Sequence, residues 1–388
     1  MVAPGSYLLK KYRVGHDGQS SEVAGILIWN HDFAMHTYAC DNSRMATRAR
    51  SGPAAVDVAI IGAGPVGLAC AIEAQRVDLS ARVFDKGTLV NSIVGYPLRM
   101  EFFSTPELIE IGGHPFPVQG YKPTREEAIE YYRGVATREK VDLRLYERIE
   151  RVDGSAGKFA LTTSRGTQRA RHVIVAIGFY DVPNRLHVPG EDLPKVMHYY
   201  REPFGFVGQQ VAVIGARNSA AKAALDCYRH GAKVTMVVRG RQIADSVKYW
   251  IKPDLKNRIK ERSIVAYFDT VVEEILERSL KLRSPDGPIE IDNDFVLAMT
   301  GYQPDFGFLE SLGITFADDA WRTPVYDART FETARPGIHL AGTVCGGLRT
   351  NRWFIENGRF HARQIARHLA GLRTDTIPFA EIHWKTEE

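Results

Sequence analysis

Apolar positions in this chain gather into short β-branched runs that end on glycine and give way to alanine-rich stretches. The first run, VDVAII over Val56–Ile61, meets Gly62-Ala-Gly64-Pro65-Val66-Gly67, continues as LACAIEA, and is followed by a second run, ARVF, that stops at Asp85. A continuous apolar run bounded by glycine predicts a buried strand, and the Ala/Leu-rich stretch predicts a helix packed on it. Strand, glycine turn, helix and strand make one half of a doubly wound α/β unit. The plan returns at Gln210 with VAVI, a turn at Gly215, the helical stretch NSAAKAALDCYR and a strand running to Arg239. This internal repeat predicts two Rossmann-like dinucleotide-binding domains.

The remaining pattern fits around that pair. Thr124-x-x-Glu127 is a capping box and predicts the helix AIEYYRGVATREK. VDLRLYERIERVDG and KFALTTSRGTQRARHVIVAIG predict strands, the last running into Gly178. VPNRLHVPGEDLPKV is rich in Pro, Gly and charge and marks a boundary. Within the inserted unit, IVAYFDTVVEEILE and LKLRSP predict a strand pair; beyond it, FVLAMTGYQPD predicts a strand ending at Thr300-Gly301. GIHLAG predicts a strand against Gly342, and RWFIENGRFHARQIARHL the last helix. The predicted organisation is a first nucleotide domain over 53–185, an inserted second domain over 186–294, and the first domain resumed over 295–388. Residues 1–52 carry no sustained period and precede the strand that normally opens such a fold. They are expected to be an extension, disordered or ahead of the native start, for which Met45 is a natural residue; a regulatory arm is the alternative.

The two turns carry the candidate chemistry. In a G-x-G-x-x-G turn the first glycine permits the tight bend, the second lets a pyrophosphate approach the backbone, and the third lets helix and strand pack closely. The helix N-terminus then presents N–H groups and a positive dipole end to phosphate. Gly62, Gly64 and Gly67 fill those positions in the first copy; in the second, Gly215 is followed by Arg217 and Ala220. The strand ends discriminate the ligands. Asp85 suits a free ribose diol, as in FAD or NAD, whereas Arg239 and Arg241 suit the 2′-phosphate of NADPH through charge-assisted bonds. Cofactor contacts are expected at Gly62, Gly64, Pro65, Val66, Gly67, Asp85, Lys86 and Gly178. In the second fold they are expected at Gly215, Asn218, Ser219, Ala220, Arg239 and Arg241, with Gly301 and Gly342 at the returning strands.

Composition narrows the class without changing that reading. The 388 residues are 44% hydrophobic and 25% charged, as in a globular protein, and the net charge of +4 is spread without a polybasic block. Neither nucleic acid nor membrane is indicated as a partner. Cys40, Cys70, Cys227 and Cys345 are far apart and form no Cys-x-x-Cys, which removes the usual zinc spacing and any adjacent redox dithiol. No metal is expected. The absence of a signal or spanning segment makes cytoplasmic placement the expectation.

The paired turns together with VIVAIG, TGYQPD and IHLAG resemble the thioredoxin-reductase-like branch of the flavoprotein disulfide reductases. SIVGYP, EFFS, IGGHPF, KPTREEAIEYYR, GEDLPKVMHYY, IGARNSAAKAAL and FIENGRFHA resemble the bacillithiol disulfide reductase family. The resemblance runs from Val56 to His368. It implies FAD in the first fold, NADPH in the second, reduction of a low-molecular-weight disulfide, bacillithiol disulfide, and assembly as a homo-oligomer. The chain departs from the pattern at three points. The thioredoxin reductase Cys-x-x-Cys region reads MHYYREPFGFVGQQ, the family's fingerprint cysteine is Val66, and the Gly-Asp that holds the ribityl chain is Gly342-Thr343. Cys345 is then the remaining candidate thiol for a relay, Cys70 and Cys227 reading as packing residues, and His198 is a candidate proton donor in the linker. Flavin monooxygenase, NADPH:ferredoxin or quinone reductase with a protein electron acceptor, and a non-enzymatic redox sensor are the alternatives on the same fold.

Overall fold

The computed structural model describes residues 10–16, 19–25 and 55–374. The chain forms two compact units, 1–51 and 52–388. In the first, strands Lys10–His16 and Gln19–Gly25 pair antiparallel. The expectation for the rest of residues 1–52, Met45 included, lies outside the described residues.

In the second unit, the strand Val56–Ile61 lies at the middle of a sheet, with Ala81–Phe84 and then Asp142–Arg144 parallel on one side and Gly166–Val175 parallel on the other. The far edge of Gly166–Val175 is shared. Its first half pairs antiparallel with Phe159–Thr163, which pairs with Ile149–Asp153, and its second half pairs parallel with Ile338–Leu340. The returning C-terminal strand thus completes the first sheet. The helix Pro65–Gln75 has Leu68 to Ile72 buried on every side. A helix apolar all round must be covered all round, and here the sheet covers one face and the closing helix Ile355–Leu369 packs on the other.

The helix Arg125–Arg138 starts on the expected capping box: Glu127 N–H donates to Thr124 Oγ1 at 3.2 Å and Thr124 N–H to Glu127 Oε2 at 2.8 Å. Its first residue also holds the loop-rich stretch before it, because buried Arg125 donates to the Val94 carbonyl at 2.6 Å and Arg125 N–H to Met100 O at 2.7 Å.

The second sheet is fully parallel, in the order Val196–Met197, Phe295–Ala298, Gln210–Ile214, Lys233–Val237, Val265–Tyr267. The helix Asn218–Arg229 packs on it, and an antiparallel meander, Val271–Ile275, Ser279–Ser284 and Gly287–Asp292, extends the unit. This moves one predicted boundary. Phe295–Ala298 was expected to reopen the first domain at 295; it instead fills the gap between Val196–Met197 and Gln210–Ile214. The chain crosses back only at Tyr302–Gln303, which pairs antiparallel with Val182–Pro183 on the outward crossing. A continuous apolar strand suits either parallel sheet, so its pattern could not say which.

Candidate active site

The first glycine turn is built by close approach. Gly62 has φ +112°, and a Cβ on it would sit 2.5 Å from Ala176 O; a Cβ on Gly67 would sit 1.9 Å from Gly62 O. Gly64 differs, with nothing within 4 Å of where its Cβ would be. So two glycines are required by the fold, while the middle one leaves space beside the backbone at the start of a helix that has Pro65 in its first turn. That space, the dipole end above it and the first-turn amides suit a pyrophosphate.

Asp85 closes the turn from the strand end. Its Oδ2 accepts from Ala63 N–H and its Oδ1 from Gly87 N–H, both at 2.8 Å. Burial raises the carboxyl above the ordinary aspartate range, and these two backbone bonds pull against that rise. Each oxygen keeps a lone pair for a ribose hydroxyl. Lys86, expected beside the cofactor, is paired with Asp181 at 3.0 Å.

The C-terminal strand and closing helix meet this turn at Gly342. Gly342 has φ +81°, and a Cβ there would meet Val66 at 3.1 Å; a Cβ on Gly358 would lie 3.0 Å from Gly342 Cα. Val66 thus fills the junction of fingerprint helix, returning strand and closing helix, and Gly178 faces Thr343, a Cβ on it lying 3.6 Å from Thr343 Oγ1.

Sequence reading gave no role to His361, which is fully buried and accepts from Gly342 N–H at Nδ1, 3.1 Å away. Nor did it assign Glu356, buried, whose Oε2 accepts from Ser104 Oγ at 2.9 Å. One signal was present: Glu356, Asn357, His361 and Gln364 are polar residues on the buried face of a helix whose period calls for apolar ones.

Burial pushes His361 down to about 3, so the ring is neutral and carries its proton on Nε2. A free histidine titrates near ~6.5. Between about pH 6.5 and 3 the unfolded chain therefore binds a proton that the folded chain refuses, and stability falls as pH falls, by about 1.4 kcal/mol per pH unit. Urea unfolding at pH 7 and pH 5 measures this. His361→Gln should flatten that part of the acid limb, and an unchanged slope would contradict a neutral buried ring.

Cys345, expected as a relay thiol, is corrected by the same packing. Its Sγ is fully buried, 3.8 Å from His361 Nδ1, and burial drives the thiol upward, away from thiolate. The neutral imidazole supplies no positive charge to reverse that. Cys70 is likewise fully buried and raised by burial, and burial pushes Cys227 up to about 12. Mass-mapped alkylation of the native protein should leave Cys70, Cys227 and Cys345 unmodified, and modify them after unfolding. Rapid labelling of native Cys345 would restore the relay.

In the second turn, a Cβ on Gly215 would lie 2.5 Å from Met299 O and 3.2 Å from the Ala220 Cβ, which ties this turn to the strand after Phe295. Ala220 is fully buried, and Ser219, Arg217, Arg239 and Arg241 are exposed. Asn218 is occupied by the fold: its Nδ2 donates to Ser246 O and its Oδ1 accepts from Lys248 N–H, both at 3.0 Å. With Ala244 N–H on Ala216 O at 3.0 Å, these bonds hold the loop after Arg241 against the turn. Asn218 is therefore a positioning residue. No ion pair among the described residues engages Arg217, Arg239 or Arg241.

The two folds meet at the crossing strands. Gly301 lies there, a Cβ on it falling 3.3 Å from Asn184 Nδ2. Tyr180 packs against Tyr96, Tyr199 and Tyr302 with ring centroids 4.9, 5.2 and 4.5 Å away. His198, in the linker, faces Glu191 at 3.5 Å, and burial lowers it. Nearby elements bring Lys122 over Trp250 at 4.4 Å and Lys222 over Phe103 at 4.9 Å, with the two rings 6.2 Å apart. Burial lowers the Lys222 ammonium.

Two glycine-turn folds, each opening a helix N-terminus at the C-terminal edge of its sheet, define a nucleotide-dependent oxidoreductase of the two-domain flavoprotein class. Residues 59–342 match the pyridine nucleotide-disulphide oxidoreductase family, to which the chain belongs. Within it the chain belongs with the bacilliredoxin reductases, also called bacillithiol disulfide reductases. It is 41% identical to the bacilliredoxin reductase Bdr of Bacillus subtilis over 313 residues, spanning 80% of this chain and 96% of that one. The bacillithiol disulfide reductase Bdr structures from Bacillus cereus and Staphylococcus aureus superpose with TM-scores of 0.80 and 0.79. They share 39% and 36% identity, over 82% and 81% of this chain and 99% and 98% of theirs. The protein is thus a flavoprotein reductase that uses a pyridine nucleotide, and no helix among the described residues is long and apolar enough to cross a membrane.

Proposed function

We propose that this chain uses FAD in its first fold to oxidise NADPH held by its second, and reduces bacillithiol disulfide. The observation that carries the reading is the contrast between strand ends: a carboxylate, Asp85, closes one turn, and exposed guanidinium groups, Arg239 and Arg241, follow the second strand of the other fold. The kinship with disulfide reductases along nearly their whole length supports the acceptor.

Bound flavin would supply the passage of two electrons between nicotinamide and sulfur. Overall, NADPH, a proton and one disulfide become NADP⁺ and two thiols. The chain's own residues have narrower tasks. The space at Gly64 and the helix behind it receive the pyrophosphate, Asp85 orients the ribose, and the Thr343 hydroxyl stands where related chains carry a carboxylate. Val66 and buried Cys345 offer no thiolate, so the disulfide must reach the flavin itself. Lys122 and Lys222, held over the Trp250 and Phe103 rings, favour an acceptor that carries carboxylates.

Anaerobic NADPH oxidation with bacillithiol disulfide, ferredoxin and a quinone as competing acceptors tests the reading. Acceleration by the disulfide alone is expected. Acceleration only by ferredoxin or quinone would reassign the acceptor, and oxygen incorporation into an added substrate in a parallel aerobic assay would reassign the class.

A further inference from the structure

Away from both nucleotide turns, three side chains converge at the far end of the closing helix. His339 lies in the strand Ile338–Leu340, and its residue is bridged antiparallel to Glu332. The His339 ring is fully buried, and neither nitrogen makes a hydrogen bond of full geometry, its neighbouring backbone partners being Gly337 and Val173. His368, in the last turn of Ile355–Leu369, places its ring centroid 5.5 Å from that of His339 and its Nε2 3.8 Å from Glu332 Oε2. Glu332 uses Oε1 to accept from Gly337 N–H at 2.7 Å, which fixes the carboxylate with Oε2 toward His368.

One ligand atom from each of the three lies within 4.8 Å of the others. A buried imidazole whose nitrogens lack full hydrogen bonds is unfavourable, so it persists more readily where something completes it. Two imidazoles and a carboxylate are a donor set that zinc and its neighbours accept. Metal–ligand bonds of about 2.0–2.2 Å place ligand atoms roughly 3.4 Å apart around a tetrahedral ion. Closing to that spacing asks for about an ångström of movement, which the half-exposed His368 and Glu332 can supply.

We propose that Glu332, His339 and His368 bind one divalent transition-metal ion of the zinc type. His172 lies on the neighbouring strand, its ring centroid 6.3 Å from that of His339. The site belongs to this chain's tertiary structure, since its ligands come from a loop, a strand and a helix end, without a local ligand spacing. An ion there ties the closing helix to the sheet seven residues, about 10 Å, from His361 on the same helix.

Tag-free, flavin-loaded protein titrated calorimetrically with zinc chloride should bind one ion per chain and unfold at higher temperature, with both effects reversed by chelator. His368→Ala and Glu332→Gln each alter a half-exposed side chain, and each should weaken binding about tenfold or more while leaving the zinc-free unfolding temperature nearly unchanged. Absence of binding at millimolar zinc would overturn the site. Binding and thermal shift that persist undiminished in both variants would overturn it equally, assigning the ion to adventitious surface groups. None of these readouts depends on the electron acceptor.

Discussion

Gly64→Val should give a folded protein that has lost its flavin. Nothing lies within 4 Å of the Gly64 Cβ position, and the residue has φ −74° and ψ 176°, which valine adopts without strain. The cost to stability should stay below about 1 kcal/mol, that of a poorer residue at a helix N-cap. A side chain there occupies the space through which pyrophosphate approaches the backbone. Overpacking of that kind costs about 1–3 kcal/mol or more, so flavin affinity should fall at least ~10- to 100-fold. The control is Gly67→Ala, whose Cβ would lie 1.9 Å from Gly62 O. It should destabilise the fold itself by about 3 kcal/mol or more, because a helix and a strand would have to separate. Flavin absorbance per chain, titration of apoprotein with FAD, and thermal unfolding separate the two outcomes. A yellow Gly64→Val protein of normal affinity would remove the first turn as the flavin site.

The double variant Arg239→Ala/Arg241→Ala should lose NADPH and keep NADH. Each guanidinium contact to a phosphate contributes about 1.5–3 kcal/mol. Losing two should raise the KM for NADPH by about 100-fold or more with kcat little changed, since these bonds are the same in ground and transition states. NADH lacks the 2′-phosphate, so its KM should move only a few-fold. Both side chains are exposed, and no ion pair among the described residues holds them, so stability should be unaffected. Equal losses for the two nucleotides would place the 2′-phosphate elsewhere, with Arg217 the next candidate at the same turn.

Much of this architecture is legible without coordinates. A parallel strand buried on both faces writes itself as an unbroken apolar run, and a nucleotide turn writes itself as glycines at fixed offsets, because both constraints act over a few adjacent residues. Both turns, the capping box at Thr124 and the returning strand Ile338–Leu340 are therefore found where the sequence puts them. Phe295–Ala298 was assigned to the wrong sheet because strand partnership is a long-range choice. The same four apolar residues would satisfy either neighbour.

Site chemistry divides along the same line. The carboxylate and guanidinium at the two strand ends follow from sequence, since position along a strand decides where each side chain emerges. Whether Cys345 can be a thiolate does not. That depends on Val66, Gly358 and His361 closing around Gly342 from elements far apart in the chain, and burial there overrides what a cysteine beside a glycine turn suggests. The Glu332–His339–His368 cluster is invisible for the same reason: no local spacing relates its members. Two nucleotide turns, their order along the chain and the charge each presents are readable from residues alone, because those depend on neighbours in the chain. Which thiols are silenced, which sheet takes a strand and which imidazoles meet emerge only on folding, because solvation and proximity are set by residues far apart in the chain.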